Sequence, residues 1–223
     1  MIDPATWMPA AVEALQQSFG PRLRFVGLQG SYRRGEASET SDIDLCVILD
    51  QLEGADLVTL RAVLGALPEG EKAAGFVAGA RELAAWPAFE LFAFAQDMDA
   101  WYSELAPLLP PITKADILLG VRTAVAALYH EAAQTLMTAN ALDGEAAANA
   151  LHSLRKSFLR ALQGVLYLKN GEFPRERAEA LRRAHAEEAE LLRMDGAALP
   201  LRDMAAACLA WSGGRLLELP GQC

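Results

Sequence analysis

The sequence predicts an α/β domain with a small mixed sheet, followed by an all-α helical bundle. In the first half, apolar runs typical of strands alternate with segments of helical spacing. Pro110-Pro111 then interrupts the pattern, because proline leaves regular structure and restricts the residue before it. Only long helical patterns follow. We therefore expect one domain over residues 1–110 and a second over residues 112–223.

Turn-forming residues separate the predicted elements. Gly20-Pro21 ends the first helix, and Pro68-Glu69-Gly70 ends the second. In the first domain we expect helices over 5–19, 55–67 and 81–86, and strands over 23–29, 43–50, 75–79 and 89–95. In the second domain we expect four helices with short links, which favour an antiparallel bundle, over 114–138, 144–169, 175–193 and 200–217.

Composition excludes several classes of protein. The apolar content of 52% is sufficient for packed cores, so the chain is not disordered. No apolar run is long enough to span a membrane, and the N-terminus lacks the features of a secretory signal. The cysteines are few, odd in number and far apart, at positions Cys46, Cys208 and Cys223. This usage fits a reduced compartment, so we expect a cytoplasmic protein.

The negative charge is concentrated in the first half. Residues 1–111 contain 7 basic and 16 acidic side chains, a net charge of −9, whereas residues 112–223 contain 13 of each. An enzyme that binds long nucleic acids would need a basic face. We therefore expect no long nucleic acid and no membrane as partner. The charge is compatible with a metal ion, a nucleotide and a neutral or cationic acceptor.

One motif in the first domain carries chemistry. Gly30-Ser31 follows the first predicted strand, and Asp42-Ile43-Asp44 opens the second. Side chains at i and i+2 of a strand share a face, so the two carboxylates would repel each other unless a cation such as Mg²⁺ lay between them. The Gly-Ser turn offers backbone N–H groups to a phosphate. The pattern predicts phosphoryl or nucleotidyl chemistry; the alternative is a plain loop followed by a capping and an exposed aspartate.

Gly-Ser, ten residues and Asp-Ile-Asp resemble the motif of the nucleotidyltransferase superfamily, which has the DNA polymerase β-like fold. Arg34-Gly35 and Ser41 also lie where small bacterial members carry them. The resemblance implies that Asp42 and Asp44 are catalytic residues that hold one or two Mg²⁺ ions. It also implies ATP as nucleotide donor, bound by a set of residues near the motif: Gly30, Ser31, Arg34 and Ser41.

A third acid is expected at Glu90, the only ionisable side chain in the apolar run 88–94. A lone glutamate in such a strand is costly to bury without a role. The segment from Ala88 to Trp101 is similar to the same region of aminoglycoside adenylyltransferases. This similarity implies that Glu90 is the base toward the acceptor hydroxyl, a metal ligand, or both. Asp97 and Asp99 are alternatives to Glu90 as the third acid, although their position after the strand favours a helix cap. A separate alternative is that Glu90 lies on the exposed face of an edge strand and has no catalytic role.

In the second domain, residues 154–160 and 167–174 resemble a segment of aminoglycoside nucleotidyltransferases. Lys156 and Arg160 are four residues apart and share a helix face. The resemblance implies that both contact nucleotide phosphates; the alternative is a solvated basic face. Arg155 is expected to point elsewhere, at the surface.

These observations predict a Mg²⁺-dependent enzyme that moves a nucleoside monophosphate, AMP from ATP, onto a hydroxyl of a small acceptor such as an aminoglycoside. Two alternatives remain. A protein-adenylylating antitoxin shares the motif but is usually shorter and lacks the helical bundle. A non-catalytic nucleotide-binding regulatory module would be marked by the loss of a carboxylate. The sequence leaves the acceptor, the preferred nucleotide and the oligomeric state open.

Overall fold

The computed structural model describes residues 2–39, 41–193 and 199–220. The chain divides into two compact units, Met1–Ile112 and Thr113–Cys223. The first unit contains a small sheet with helices, and the second is helical, which confirms the predicted fold class. In the described ranges, no helix combines the length and the apolar character needed to span a membrane.

The first unit contains one mixed sheet of four strands. The strand order is β3-β2-β1-β4; β1 is antiparallel to both of its neighbours, and β2 is parallel to β3. The elements in chain order are α1 (Pro4–Phe19), β1 (Leu23–Gln29), α2 (Gly30–Arg33), β2 (Ile43–Leu49), α3 (Gly54–Gly65), β3 (Ala73–Gly79), α4 (Ala80–Ala84), α5 (Ala88–Gln96) and β4 (Asp99–Tyr102).

Both faces of this sheet are covered by a core. One core combines Leu28 and Leu45 of the central strands with residues of α1 and α3. The other combines Cys46 of β2 with residues of α4 and α5, including Leu83 and Leu91. Because both faces are buried, β2 is continuously apolar after its second residue. Burial raises the pKa of the Cys46 thiol, as suits a core residue.

The predicted strand over 89–95 is wrong, because these residues form most of helix α5. An almost wholly apolar run has no clear period and does not distinguish a strand from a helix. In the fold, Leu91 and Phe94 contact the core beside β3, and this spacing of three residues is helical. The place at the sheet edge is taken by β4, so Asp99 begins a strand instead of capping a helix.

The second unit is a set of helices that pack against one another. Phe158 of one helix packs edge-on against Trp211 of another, with ring centroids 4.9 Å apart. The helices are α6 (Lys114–Thr138), α7 (Gly144–Asn170), α8 (Arg177–Arg183), α9 (Ala186–Leu192) and α10 (Leu201–Glu218). Cys208 is buried, and Cys223 lies outside the described residues.

The single helix predicted over 175–193 is divided into α8 and α9. Ala184 leaves the helical conformation, and His185 caps the start of α9 by donating its backbone N–H to Glu188 at 3.0 Å. The Glu188 side chain is buried and also accepts a hydrogen bond from Nε1 of Trp211 at 2.9 Å. This tertiary contact fixes the position of the cap and therefore the break, which no glycine or proline in the sequence marks.

An ion pair holds the end of β2 to helix α3. The guanidinium of Arg22 donates to both carboxylate oxygens of Asp56 at 2.8 and 2.9 Å, and to Asp50 at 3.2 Å. Asp56 also accepts the backbone N–H of Glu53, which closes the first turn of α3. The hydrogen bonds from Arg22, followed by the one from Glu53, hold the pKa of Asp56 below its usual value of 3.8.

We expect Asp56→Asn to lower the free energy of unfolding at neutral pH, because Asn keeps the shape but removes the charge that Arg22 contacts. A carboxylate with a depressed pKa stabilises the fold above its unfolded-state pKa, and this contribution is lost as the pH falls through its folded-state pKa. In urea denaturation, the difference between wild type and variant should be largest near neutral pH and should shrink below about pH 4. A pH-independent difference would contradict this account.

Candidate active site

The turn after β1 brings Gly30 against Asp44. Gly30 begins the single helical turn α2 with a φ of 70°, a conformation that favours glycine. A Cβ at this position would lie 2.0 Å from Oδ2 of Asp44. Glycine is therefore required here both for its backbone conformation and for space. The structure thus joins two residues that the sequence places fourteen positions apart.

The two aspartates of the motif lie at the start of β2. Asp44 is half-buried and pairs with Gln29 of β1 on one side and with Ala74 of β3 on the other. Strand alternation places it on the sheet face of Cys46, beneath α4 and α5. Asp42 directly precedes the strand and is exposed. Both carboxylates are therefore near the end of the strand that meets the Gly30-Ser31 turn.

The Gly-Ser turn is anchored on both sides of the sheet. Tyr32 is buried in the core beneath α1 and α3. The next side chain, Arg33, is only 2% exposed and donates to Oδ1 of Asp97 at 2.8 Å. Backbone hydrogen bonds from Arg34 to Gly30 and from Glu36 to Ser31 close the turn. Backbone N–H groups of this turn are thereby held in a fixed place.

Arg34 and Ser41 order the loop between the turn and Asp42. The Arg34 guanidinium donates to Glu36 at 3.0 Å and to Asp97 at 3.1 and 3.3 Å. Burial opposes its charge, but the hydrogen bond to Glu36 and the attraction of Asp97 outweigh this effect and raise the pKa of Arg34. The Ser41 hydroxyl accepts the backbone N–H of Ser38 at 2.9 Å. A nucleotide contact by Ser31, Arg34 or Ser41 remains a prediction.

Glu90 lies on a helix and not on the predicted strand. Its exposed carboxylate accepts a hydrogen bond from Nε1 of Trp86 at 2.8 Å. Phe94, one turn further along α5, and Trp86 both pack edge-on against Phe76 of β3, with centroid distances of 4.8 and 5.4 Å. Phe76 is paired with Cys46 and shares its sheet face. The helix that carries Glu90 therefore covers the same face of the sheet as Asp44.

The two aspartates suit a magnesium ion. Mg²⁺ prefers oxygen ligands and is commonly held by one or two carboxylates together with water and substrate phosphates. Asp42 and Asp44 supply this donor set, and the missing side chain at Gly30 lets the Asp44 carboxylate lie against the turn. Within the part of the chain that the structure describes, no three His, Cys, Asp or Glu side chains are grouped so as to hold a metal. Glu90 as a metal ligand therefore remains a prediction.

Three basic residues of α7 differ in exposure. Lys156 and Arg160 are exposed and lie one turn apart on α7, and their contact with a nucleotide remains a prediction. The surface position expected for Arg155 is wrong, because this residue is 8% exposed. Burial, and secondarily the charge of Arg177, lowers the pKa of Arg155. Arg155 lies three and four residues before the buried Phe158 and Leu159 of α7, and this helical spacing is the signal that sequence reasoning missed.

We expect Gly30→Ala to destabilise the protein more than the matched control Gly35→Ala. The φ angles of 70° and 67° are nearly equal, so the backbone cost of about 1–2 kcal/mol is common to both. Only at position 30 does the new Cβ strike a neighbour, the Asp44 carboxylate; at position 35 no atom lies within 4 Å. Urea denaturation of both variants measures the difference, and equal losses would contradict the contact.

Comparison with known proteins agrees with this geometry. The family model described as a nucleotidyltransferase domain matches residues 9–114. The structure of spectinomycin adenyltransferase AAD(9) from Enterococcus faecialis, with ATP and spectinomycin, aligns with a TM-score of 0.58 and 13% sequence identity. The alignment covers 96% of this chain and 100% of that chain. At this identity the likeness shows a shared fold.

A second structure, a nucleotidyltransferase-like protein from Exiguobacterium sibiricum 255-15, aligns with a TM-score of 0.35 at 11% identity. The alignment covers 95% of this chain and 75% of that chain, and the score is too low to support an argument. No curated protein sequence is significantly similar to this chain. Because the family match spans the Gly-Ser turn and both aspartates, this part of the chain is similar to nucleotidyltransferase domains, and the chain shares its fold with spectinomycin adenyltransferase AAD(9).

Proposed function

We propose that this chain is a nucleotidyltransferase that moves AMP from ATP, with Mg²⁺, onto a hydroxyl group of a small cationic acceptor of the aminoglycoside kind. The observation that supports this most strongly is the contact between Gly30 and the Asp44 carboxylate. The backbone of the turn, which we propose binds phosphate, lies against the Asp44 carboxylate, which we propose holds a metal ion. Neither feature alone is specific, but nucleotidyl transfer requires both in one place.

In this proposal the chain first binds and orients the nucleotide. Backbone N–H groups at Gly30 and Ser31 hold phosphate oxygens, and Arg34 adds a permanent positive charge beside them. Asp42 and Asp44 would hold one or two Mg²⁺ ions. When bound, the metal neutralises charge on the triphosphate and on the departing pyrophosphate. Ser41 keeps the loop before Asp42 closed through Ser38.

Glu90 is proposed as the base toward the acceptor. The hydroxyl transfers its proton to the carboxylate while its oxygen attacks the α-phosphorus, and the bond to the β-phosphate oxygen breaks to release pyrophosphate. Trp86 donates to one carboxylate oxygen of Glu90, which orients the group and leaves the other oxygen for the acceptor. The exposed position of Glu90 above the sheet face of Asp44 supports this role.

The charge of the first unit supports a cationic acceptor. The excess of acidic residues before position 112 gives this region a net charge of −9. Such a field repels anions that carry no metal and attracts amino sugars. The fold shared with AAD(9), whose structure contains ATP and spectinomycin, supports a small acceptor in addition to a nucleotide.

We expect Asp42→Asn and Asp44→Asn each to reduce transfer at least about a hundredfold, since each removes a charge from the metal site and keeps the shape. The assay uses purified protein, Mg²⁺, labelled ATP, GTP or CTP, and a panel of aminoglycosides that includes spectinomycin. Asp50→Asn, at the other end of β2, is the matched control and should retain activity.

Full Mg²⁺-dependent turnover by both variants would overturn the assignment of the motif. Label transfer to a lysate protein, with none to any aminoglycoside, would replace the small acceptor by a protein.

We expect Glu90→Gln to leave the affinity for Mg·ATP largely unchanged and to depress transfer, because a base acts on the acceptor and not on the triphosphate. Glutamine can still accept the hydrogen bond from Trp86. The acidic limb of the pH–rate profile should disappear as well. The control is Glu104→Gln, at another exposed acid of the same unit. If Glu90→Gln instead abolished nucleotide binding, Glu90 would be a metal ligand, and the base would have to be sought at Asp97, Asp99 or a residue of the second unit.

A further inference from the structure

We propose that Asp97 is a positioning residue, which ties the Gly30-Ser31 turn to the helix that carries Glu90. It thereby fixes the position of the Glu90 carboxylate, the proposed proton acceptor, relative to the backbone of the turn, the proposed phosphate-binding group. What these two groups do rests on the proposed function, whereas the tie itself rests on contacts within the first unit.

The carboxylate of Asp97 binds two consecutive arginines. It lies directly after the last residue of α5. Oδ1 accepts Nε of Arg33 at 2.8 Å, and the two oxygens accept Nη1 of Arg34 at 3.3 and 3.1 Å. Arg33 is the last residue of α2 and Arg34 follows it. One carboxylate therefore joins the end of α5, the helix that carries Glu90, to the end of the Gly30-Ser31 turn.

Burial makes this contact different from an ordinary surface ion pair. The Arg33 side chain is 2% exposed and that of Asp97 is 35% exposed. Exposed ion pairs contribute little to stability, but a buried guanidinium that loses its carboxylate carries a large desolvation penalty. Moving α5 away from the turn would therefore break a short ion pair to a buried guanidinium.

A second contact attaches α5 to the other side of the turn. Nε2 of Gln29 donates to the backbone oxygen of Phe94 at 3.3 Å. Gln29 directly precedes Gly30 and is the strand partner of Asp44. The last turn of α5 is thus fixed to the residue before the turn and to the residues after it. Glu90 lies one helical turn before Phe94, so a rigid helix transmits this placement to the glutamate.

Asp97 also determines where the Arg34 charge lies. Arg34 divides its guanidinium between Glu36 and Asp97. Glu36 binds Nε and Asp97 binds Nη1, so a triphosphate at the turn would meet a guanidinium that is already held beside it. Loss of Asp97 should therefore affect nucleotide affinity as well as the rate of transfer.

The experiment compares Asp97→Asn and Asp97→Glu with Asp56→Asn in the full-length protein. Asp56→Asn is the matched control, because it also removes a carboxylate that binds an arginine through both oxygens, at a place away from the turn. Hydrogen exchange is measured on the free protein over residues 30–36 and 88–97. The affinity for a Mg·ATP analogue, kcat and KM are measured in parallel.

We expect Asp97→Asn to accelerate exchange in both segments together and to weaken Mg·ATP analogue binding and kcat about tenfold each, as loss of an orienting partner does in other sites. Asp97→Glu should recover part of the affinity for the Mg·ATP analogue and part of kcat. Asp56→Asn should leave both segments and the affinity unchanged. Acceleration confined to 88–97 with unchanged affinity would overturn the proposal and leave Asp97 a purely structural residue.

Two further outcomes are distinguished by the same design. If Asp97→Asn does not fold, Arg34→Gln removes half of the tie and keeps the Arg33 contact. It should then accelerate exchange at 88–97, and protection equal to wild type there would overturn the proposal. If the wild-type protein neither binds Mg·ATP analogue nor transfers label, the proposed function fails, whereas the exchange data still decide whether Asp97 couples the two segments.

Discussion

The first unit depends on one steric constraint: position 30 has no side chain, so the Asp44 carboxylate can lie against the turn that follows β1. The two sheet cores maintain this arrangement. Gln29 and Asp44 are strand partners, and a slip of one residue between β1 and β2 would turn Asp44 into the core that contains Leu28 and Leu45. The cost of burying an unpaired carboxylate among apolar side chains therefore fixes its register. Hydrophobic packing on both sheet faces is thus what places the acid at the turn.

The turn itself has little stability of its own. A single helical turn does not repay the entropy of its nucleation, so α2 must be held by tertiary contacts. Tyr32 supplies one of these contacts by burying its ring on one side of the sheet. Arg33 supplies another on the opposite side through Asp97 at the end of α5. A backbone fixed from two sides loses little freedom when a phosphate binds, which is the condition for an efficient anion site.

Charge and fold are linked in the first unit. Several basic side chains of this unit form ion pairs within it. Arg22 contacts Asp50 and Asp56, Lys72 contacts Glu69, and Arg33 and Arg34 contact Asp97. These cations are engaged in structural contacts, and the region as a whole remains at a net charge of −9. In the proposed function, a metal ion bound with the triphosphate would offset this charge locally, and a cationic acceptor would benefit from what remains.

The sequence by itself determined the elements whose signals are local. Periodicity and turn residues predicted α1, β1, β2 and the long helices of the second unit, and the spacing of the Gly-Ser and Asp-Ile-Asp motifs predicted the site chemistry. The run 89–95 has no period, so only its packing beside β3 decided that it is a helix and left the sheet edge to β4. The burial of Arg155 and the role of Asp97 were likewise decided by tertiary structure. Arg33 and Asp97 are 64 residues apart, and an ion pair across that distance exists only after the sheet and its helices have brought both ends together.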